Sequence, residues 1–285
     1  MAYISVNGFN HYYEWLTESG DNQPSGKPVL VFIHGWGGSV RYWESTARSL
    51  SHHFDCLLYD MRGFGRSRME NAPESTYKLD VYVRDLAGLL IALRLQKVCL
   101  NAHSTGASVA VLFLNRYAEF VDRAVLTCSG IFEYQERAFK AFHQFGGYVV
   151  KFRFPWLYSL PFTDRLFMQR FLHQSVSRDM SRAFLDDFLM ADEAAALGTM
   201  VSAVSKEAAE TMPAEFARIS IPTLLISGEY DQIIPAEMGK QAAILNDRIQ
   251  QITIPNTAHF PMLEDPKTYL QSVTEFLDAE APAVL

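Results

Sequence analysis

The run VLVFIHG, residues 29–35, constrains this chain more than any other stretch. Five consecutive apolar residues ending at a turn-forming glycine read as a strand buried on both faces. Such a strand needs cover above and below, and a chain supplies it with helices that cross over between parallel strands. Similar runs recur as DCLLY from Asp55 to Tyr59, VCLNAH from 98, RAVLTC from 123 and TLLISG within ISIPTLLISG, and Ile249–Ile254 reads as a further strand. Helical patterns separate the first of them: Arg41–Leu50, Leu79–Leu93 with apolar residues at helical spacing, and Gly106–Tyr117. Pro266–Leu277 reads as a closing helix. Right-handed crossovers then predict an α/β fold, a mostly parallel central sheet flanked by helices. Ahead of it, YISVNGFNHYYEWL reads as a hairpin turning at Asn7-Gly8.

The strand–helix rhythm stops after Gly130 and resumes near residue 213. Residues 131–212 read as an inserted helical cap, rich in aromatics and broken at Gly146-Gly147, Pro155 and Pro161. The α/β core is expected from 1–130 and 213–285. The insert is expected over the carboxyl ends of the strands.

At 285 residues, with 49% hydrophobic and 20% charged residues, the chain can build a large core and does not read as disordered. A net charge of −7 argues against nucleic acid as the main partner, because phosphate binding needs a basic face. Cys56, Cys99 and Cys128 sit in apolar runs with spacing that suits neither zinc nor a redox pair, and read as buried small hydrophobes. No metal and no cofactor are expected. The first residues lack the basic and apolar stretches of a signal peptide, and no apolar run approaches the roughly 18 residues of a span. A soluble, cytoplasmic protein is the expectation; oligomeric state is left open.

Ligands of open parallel sheets bind beyond the carboxyl ends of the strands. The polar residues there are His34-Gly35-Trp36-Gly37-Gly38, the loop DMRGFGRS from Asp60, Ser104, Glu229-Tyr230-Asp231, and His259. Ser104, Asp231 and His259 therefore converge on one edge in the chain order Ser, Asp, His. Read alone, AHSTG serves equally as a helix N-cap or as a nucleophile on a sharp turn. Ala102 stands two residues before the serine and Gly106 two after; the first position needs little volume rather than a positive φ.

These motifs together, in this order, resemble the α/β-hydrolase fold superfamily, in its serine-nucleophile, capped, esterase- or lipase-like branch. The resemblance implies Ser104 as nucleophile, His259 as general base and Asp231, in Gly228-x-x-Asp231-x-x-x-Pro235, as the carboxylate that orients it. Glu133 is the fallback acid. Backbone N–H groups of Trp36 and Thr105 would form the oxyanion hole. Asp60 and Arg62 read as a loop-bracing ion pair. The cap's aromatics favour a small-molecule hydrophobic acyl or aromatic ester, with His34, Trp36, Phe142, Phe145, Trp156 and Phe260 as substrate-facing candidates. Its interleaved Lys151, Arg153, Arg165 and Arg170 suit peripheral contact with an anionic membrane surface, and snorkelling explains them equally well. The same triad serves C–C hydrolases, lactonases and cofactor-free perhydrolases. The family also holds non-enzymatic binders of lipids or pigments. Dehalogenase and epoxide-hydrolase branches usually carry Asp where this chain has Ser104.

Overall fold

The computed structural model describes residues 2–68 and 77–278. β1 (Ala2–Val6) and β2 (Phe9–Leu16) form the hairpin, with Asn7 and Gly8 both at positive φ, as a two-residue turn of this kind requires. The remaining strands are β3 (Val29–Ile33), β4 (Asp55–Tyr59), β5 (Val98–His103), β6 (Val121–Thr127), β7 (Thr223–Gly228) and β8 (Ile249–Ile254). They form one sheet in the order β1-β2-β4-β3-β5-β6-β7-β8. Pairings from β4 through β3 to β8 are parallel, and β1 and β2 add an antiparallel edge. After β3 the chain passes first to β4 on one side and then to β5 on the other. The switch leaves a crevice at the carboxyl ends of β3 and β5.

Strand periodicity sorts the core. Val31, Ile33, Leu57, Leu100, Ala102, Ala124, Leu126 and Leu225 point to one face. There they meet α2 (Leu79–Ala92), α3 (Thr105–Arg116) and residues of α8 (Lys206–Ala217). Leu30, Phe32, Cys56, Leu58, Val125, Leu224 and Ile226 point to the other. That face is covered by the 3₁₀ turn Val40–Trp43, α1 (Glu44–Leu50) and α11 (Pro266–Asp278). All three cysteines are buried and free.

Between β6 and β7 lie α4 (Glu136–Lys151), α5 (Thr163–Met168), α6 (Arg178–Met190), α7 (Glu193–Ala203) and α8. Two sequence expectations change here. Gly146-Gly147 does not break α4: a Cβ on Gly146 would sit 2.2 Å from Met200 Sδ, so the glycine lets α4 press against α7. α8 runs through Pro213 to Ala217, past the expected boundary at 212. After β7, α9 (Ala236–Ile244) has only Gly239 and Ala242 buried, too little apolar periodicity to announce it. α10 (Pro261–Glu264) is a single turn before α11. Among the described residues no helix is long and apolar enough to cross a membrane.

Candidate active site

β5 runs buried to His103 and α3 starts at Thr105, so one residue must reverse the chain. Ser104 does this at φ 53°, ψ −120°, a conformation that costs a non-glycine residue roughly 1–3 kcal/mol and persists only where the surroundings enforce it. Its N–H is tied to the Thr127 carbonyl at 2.9 Å. A Cβ on Gly106 would lie 2.4 Å from the His34 carbonyl oxygen, so only glycine lets α3 leave the elbow against β3. Ala102 is fully buried, in register with Ile33 and Leu126, and needs no positive φ. The capping alternative fails on geometry: Ser104 makes no side-chain cap bond to α3. Its Oγ instead lies 3.0 Å from His259 Nε2.

His259 follows β8, and its N–H donates to the Phe171 carbonyl of the insert at 2.9 Å. Its Nδ1 lies 2.8 Å from Asp231 Oδ2. An ionised carboxylate only accepts, so Nδ1 carries the proton and Nε2 is left to accept from the Ser104 hydroxyl. Asp231 Oδ1 receives the N–H groups of Ile233 (2.8 Å) and Ile234 (3.0 Å). Burial works to raise the Asp231 carboxyl, but the His259 imidazole and these two amides outweigh it and hold it below the usual range. The three side chains form one hydrogen-bonded line with a fixed tautomer, an arrangement able to move a proton from the serine. Glu133 lies exposed after β6; the carboxylate at His259 is that of Asp231.

The turn after β3 closes against the elbow: a Cβ on Gly35 would be 3.1 Å from Ser104 Cβ. Thr105 opens α3, where N–H groups have no intrahelical acceptor, and Trp36 follows Gly35. Neither N–H is bonded among the described residues. Trp36 anchors its ring by donating Nε1–H to the Ala196 carbonyl at 2.8 Å and packs on Phe188.

His34 is a structural residue of the turn after β3 rather than a substrate-facing one. Its side chain is fully enclosed, Nδ1 bonds the Gly35 carbonyl at 2.8 Å and Nε2 accepts from the Met61 N–H at 2.8 Å. Both nitrogens thus brace backbone and neither is offered to a ligand; burial holds the ring at about 4. Phe260 is also enclosed, packed on His103, Tyr42 and Phe184 beneath His259. Phe142, Phe145 and Trp156 lie exposed on the outside of the insert. The rings that the structure brings to the site are Phe171 beside His259, and Phe184 and Phe188 of α6. The i, i+4 spacing of those two α6 phenylalanines was the available signal. Ser104 is 9% exposed and His259 3%, so both side chains are largely shut off from solvent.

The loop after β4 also departs from expectation. Asp60 and Arg62 do not pair. Arg62 forms a two-pronged pair with Asp85 of α2, at 2.7 and 2.8 Å. Asp60 receives the N–H groups of Val40 (2.8 Å) and Arg66 (2.7 Å).

One network escaped sequence reasoning. The Gly35 N–H donates to the Tyr42 hydroxyl (2.5 Å), which lies 3.0 Å from His103 Nδ1; His103 Nε2 lies 2.7 Å from the His259 carbonyl oxygen. A carbonyl accepts, so Nε2 carries the proton and Nδ1 accepts from Tyr42. Three loops of the site are therefore joined through His103. Cys128 is also near, and His103, Cys128 and His259 bring one ligand atom each within 4.8 Å of one another. They suit a metal poorly. Every imidazole nitrogen of the pair already has a partner, and burial pushes the Cys128 thiol well above its ordinary value, away from the thiolate a metal needs.

Residues 28–266 match the family model of the α/β-hydrolase fold. Mouse epoxide hydrolase 3 is 26% identical over 275 residues, covering 88% of this chain and 70% of that protein. The pimeloyl-[acyl-carrier protein] methyl ester esterase of Vibrio cholerae is 23% identical over 254 residues, covering 87% and 93%. The crystal structure of an enol-lactonase from Burkholderia xenovorans superposes with a TM-score of 0.77 at 20% identity, covering 98% of this chain and all of that one.

Proposed function

The chain belongs to the α/β-hydrolase fold family, and from that premise we propose that it is a serine hydrolase of carboxylic esters with a hydrophobic acyl or aromatic group. The observation that carries the reading is the line Ser104 Oγ to His259 Nε2 at 3.0 Å and His259 Nδ1 to Asp231 Oδ2 at 2.8 Å. Ser104 Oγ attacks the ester carbonyl carbon as its proton passes to His259 Nε2. The carbonyl electron pair moves to oxygen, where the N–H groups of Trp36 and Thr105 receive it. Asp231, held ionised, stabilises the imidazolium. Collapse expels the alkoxide, which leaves as alcohol with the proton from His259. Water then gives a proton to the same nitrogen and its oxygen attacks the acyl-enzyme. The second collapse frees the acid and returns that proton to Ser104.

A hydroxyl nucleophile supports acyl transfer. Opening an epoxide through an enzyme-bound ester calls for a carboxylate nucleophile, and this chain has Ser104 there. Phe171, Phe184 and Phe188 around the site support an apolar substrate group.

The test is turnover of a chain-length series of aryl esters, run beside lactones and a cleavable diketone, with fluorophosphonate labelling read by mass. Expected are one adduct on Ser104 and preference for the esters. Ser104→Ala should lose the adduct and on the order of 10⁵-fold in kcat. An active Ser104→Ala protein overturns the reading. Tight apolar-ligand binding with no turnover of any substrate class would make the chain a binder instead.

A further inference from the structure

We propose that the outer face of the insert docks on an anionic phospholipid bilayer. α4 turns Phe139, Gly146 and Val150 inward. It leaves a second apolar stripe outward: Ala141, Phe145, Tyr148 and Phe152 are exposed at spacings of four, three and four residues. A helix apolar on two faces has one face without cover. The stripe continues past the end of α4 as a chain of rings, Tyr148 to Phe152 (6.2 Å between centroids), Phe152 to Phe154 (6.2 Å) and Phe154 to Trp156 (5.9 Å). Phe162 and Leu166, 69% and 72% exposed, stand one helical turn apart at the start of α5. An exposed apolar surface of this extent marks an interaction site.

Charge names the partner. Between Tyr134 and His173 the chain carries six basic and two acidic residues, a local charge of +4, in a protein of −7 overall. The remainder therefore carries −11. Arg137, Lys151 and Arg165 are exposed and have no carboxylate partner among the described residues. Aromatic side chains flanked by free cations are the surface chemistry that settles into the headgroup region of an anionic leaflet. An anionic surface attracts this one face and repels the rest, which fixes the orientation. A second copy is disfavoured by the same charges, since pairing this face with itself brings +4 against +4.

The test is co-sedimentation of the whole protein with vesicles of phosphatidylcholine, alone or mixed with phosphatidylglycerol. Binding is expected to the mixed vesicles, to fall with added salt, and to be far weaker to phosphatidylcholine alone. Replacing Arg137, Lys151 and Arg165 together by glutamine should weaken it roughly a hundredfold. Phe145→Ser with Trp156→Ser should weaken it about tenfold or more while leaving salt dependence in place. Light scattering on the unliganded protein reports self-association. No vesicle binding, equal binding to both vesicle types, binding indifferent to both sets of substitutions, or face-dependent dimers in place of vesicle binding each overturn the proposal. Neither result bears on Ser104, so the docking and the esterase reading fail separately.

Discussion

Replacing His103 by phenylalanine removes a side chain that ties the elbow to the loops of both Tyr42 and His259. His103 is 1% exposed, so water cannot substitute. The phenyl ring fills the space between Tyr42, Trp43 and Phe260 but strands two buried groups, the Tyr42 O–H, 3.0 Å from Nδ1, and the His259 carbonyl, 2.7 Å from Nε2. At about 1–3 kcal/mol for each unsatisfied group, urea unfolding should show a loss of roughly 2–6 kcal/mol. For a chain of this length that lowers Tm by roughly 5–15 °C. Tyr42→Phe in the same protein removes the stranded hydroxyl, so the double variant should recover about 1 kcal/mol or more relative to the sum of the two single losses. His103→Gln can donate to the His259 carbonyl and accept from Tyr42, and should restore much of the stability. A loss below about 0.5 kcal/mol in His103→Phe, or strict additivity in the cycle, would refute the network as the tie between the loops.

Asp231→Asn keeps an oxygen for the Ile233 and Ile234 amides, so circular dichroism should show an intact fold while ester kcat drops roughly 10⁴-fold at neutral pH. Ala102→Gly should leave kcat within about twofold and cost about 1 kcal/mol, because the position needs only a small side chain in a buried strand. Gly106→Ala should fail to fold at ordinary temperature or lose several kcal/mol in urea, since its methyl would meet the His34 carbonyl at 2.4 Å. Burial holds His103 well below the ordinary imidazole value, so between that folded value and about pH 6.5 the unfolded chain binds a proton that the folded chain does not. Stability from this ring is complete above about pH 6.5 and is lost as pH falls; His103→Gln should therefore flatten the acid limb of stability against pH by roughly 1 kcal/mol per pH unit, read by urea melts from pH 7 to 5.

Much of the sheet was readable from the chain because the central parallel strands are buried on both faces and so carry apolar runs ended by a polar or glycine residue, whereas the edge strand β8 is partly exposed and mixed in polarity. Runs such as VLVFIHG and TLLISG give the strand and the edge of the site together. The two carbonyl-side loops that follow β7 and β8 carry Asp231 and His259 for the same reason. Partner choice was less readable. Asp60 and Arg62 are two residues apart and opposite in charge, yet Arg62 reaches Asp85, which is close only after α2 packs on the sheet. Asp60 is used by backbone amides, which look alike in every sequence. The insert shows the same limit. Its aromatics announce apolar surface, but which rings turn inward depends on how α4 to α8 pack, and Phe145 and Trp156 turn out while Phe184 and Phe188 turn in.

His103, the residue before Ser104, explains how separate loops hold one geometry. A sheet fixes where strands end, yet the loops beyond those ends are free to swing by ångströms, and the 3.0 Å hydrogen bond between Ser104 and His259 does not tolerate that. Ser104 is fixed by its own elbow and by Thr127. His259 sits five residues past the end of β8 and needs an independent hold, which the His103 bond to its carbonyl and the Phe171 bond to its N–H supply from below and from the insert. The first hold belongs to the core and persists when the insert moves; the second belongs to the insert. Phe171→Ala keeps the backbone carbonyl that accepts the His259 N–H but removes the ring packed on Phe167, Phe184 and Phe260. It should loosen the insert around Ser104 while His259 stays attached through His103, and a reagent that labels Ser104 should react with it at least as fast as with the parent. Slower labelling would mean that the Phe171 ring, rather than His103, keeps the histidine in place.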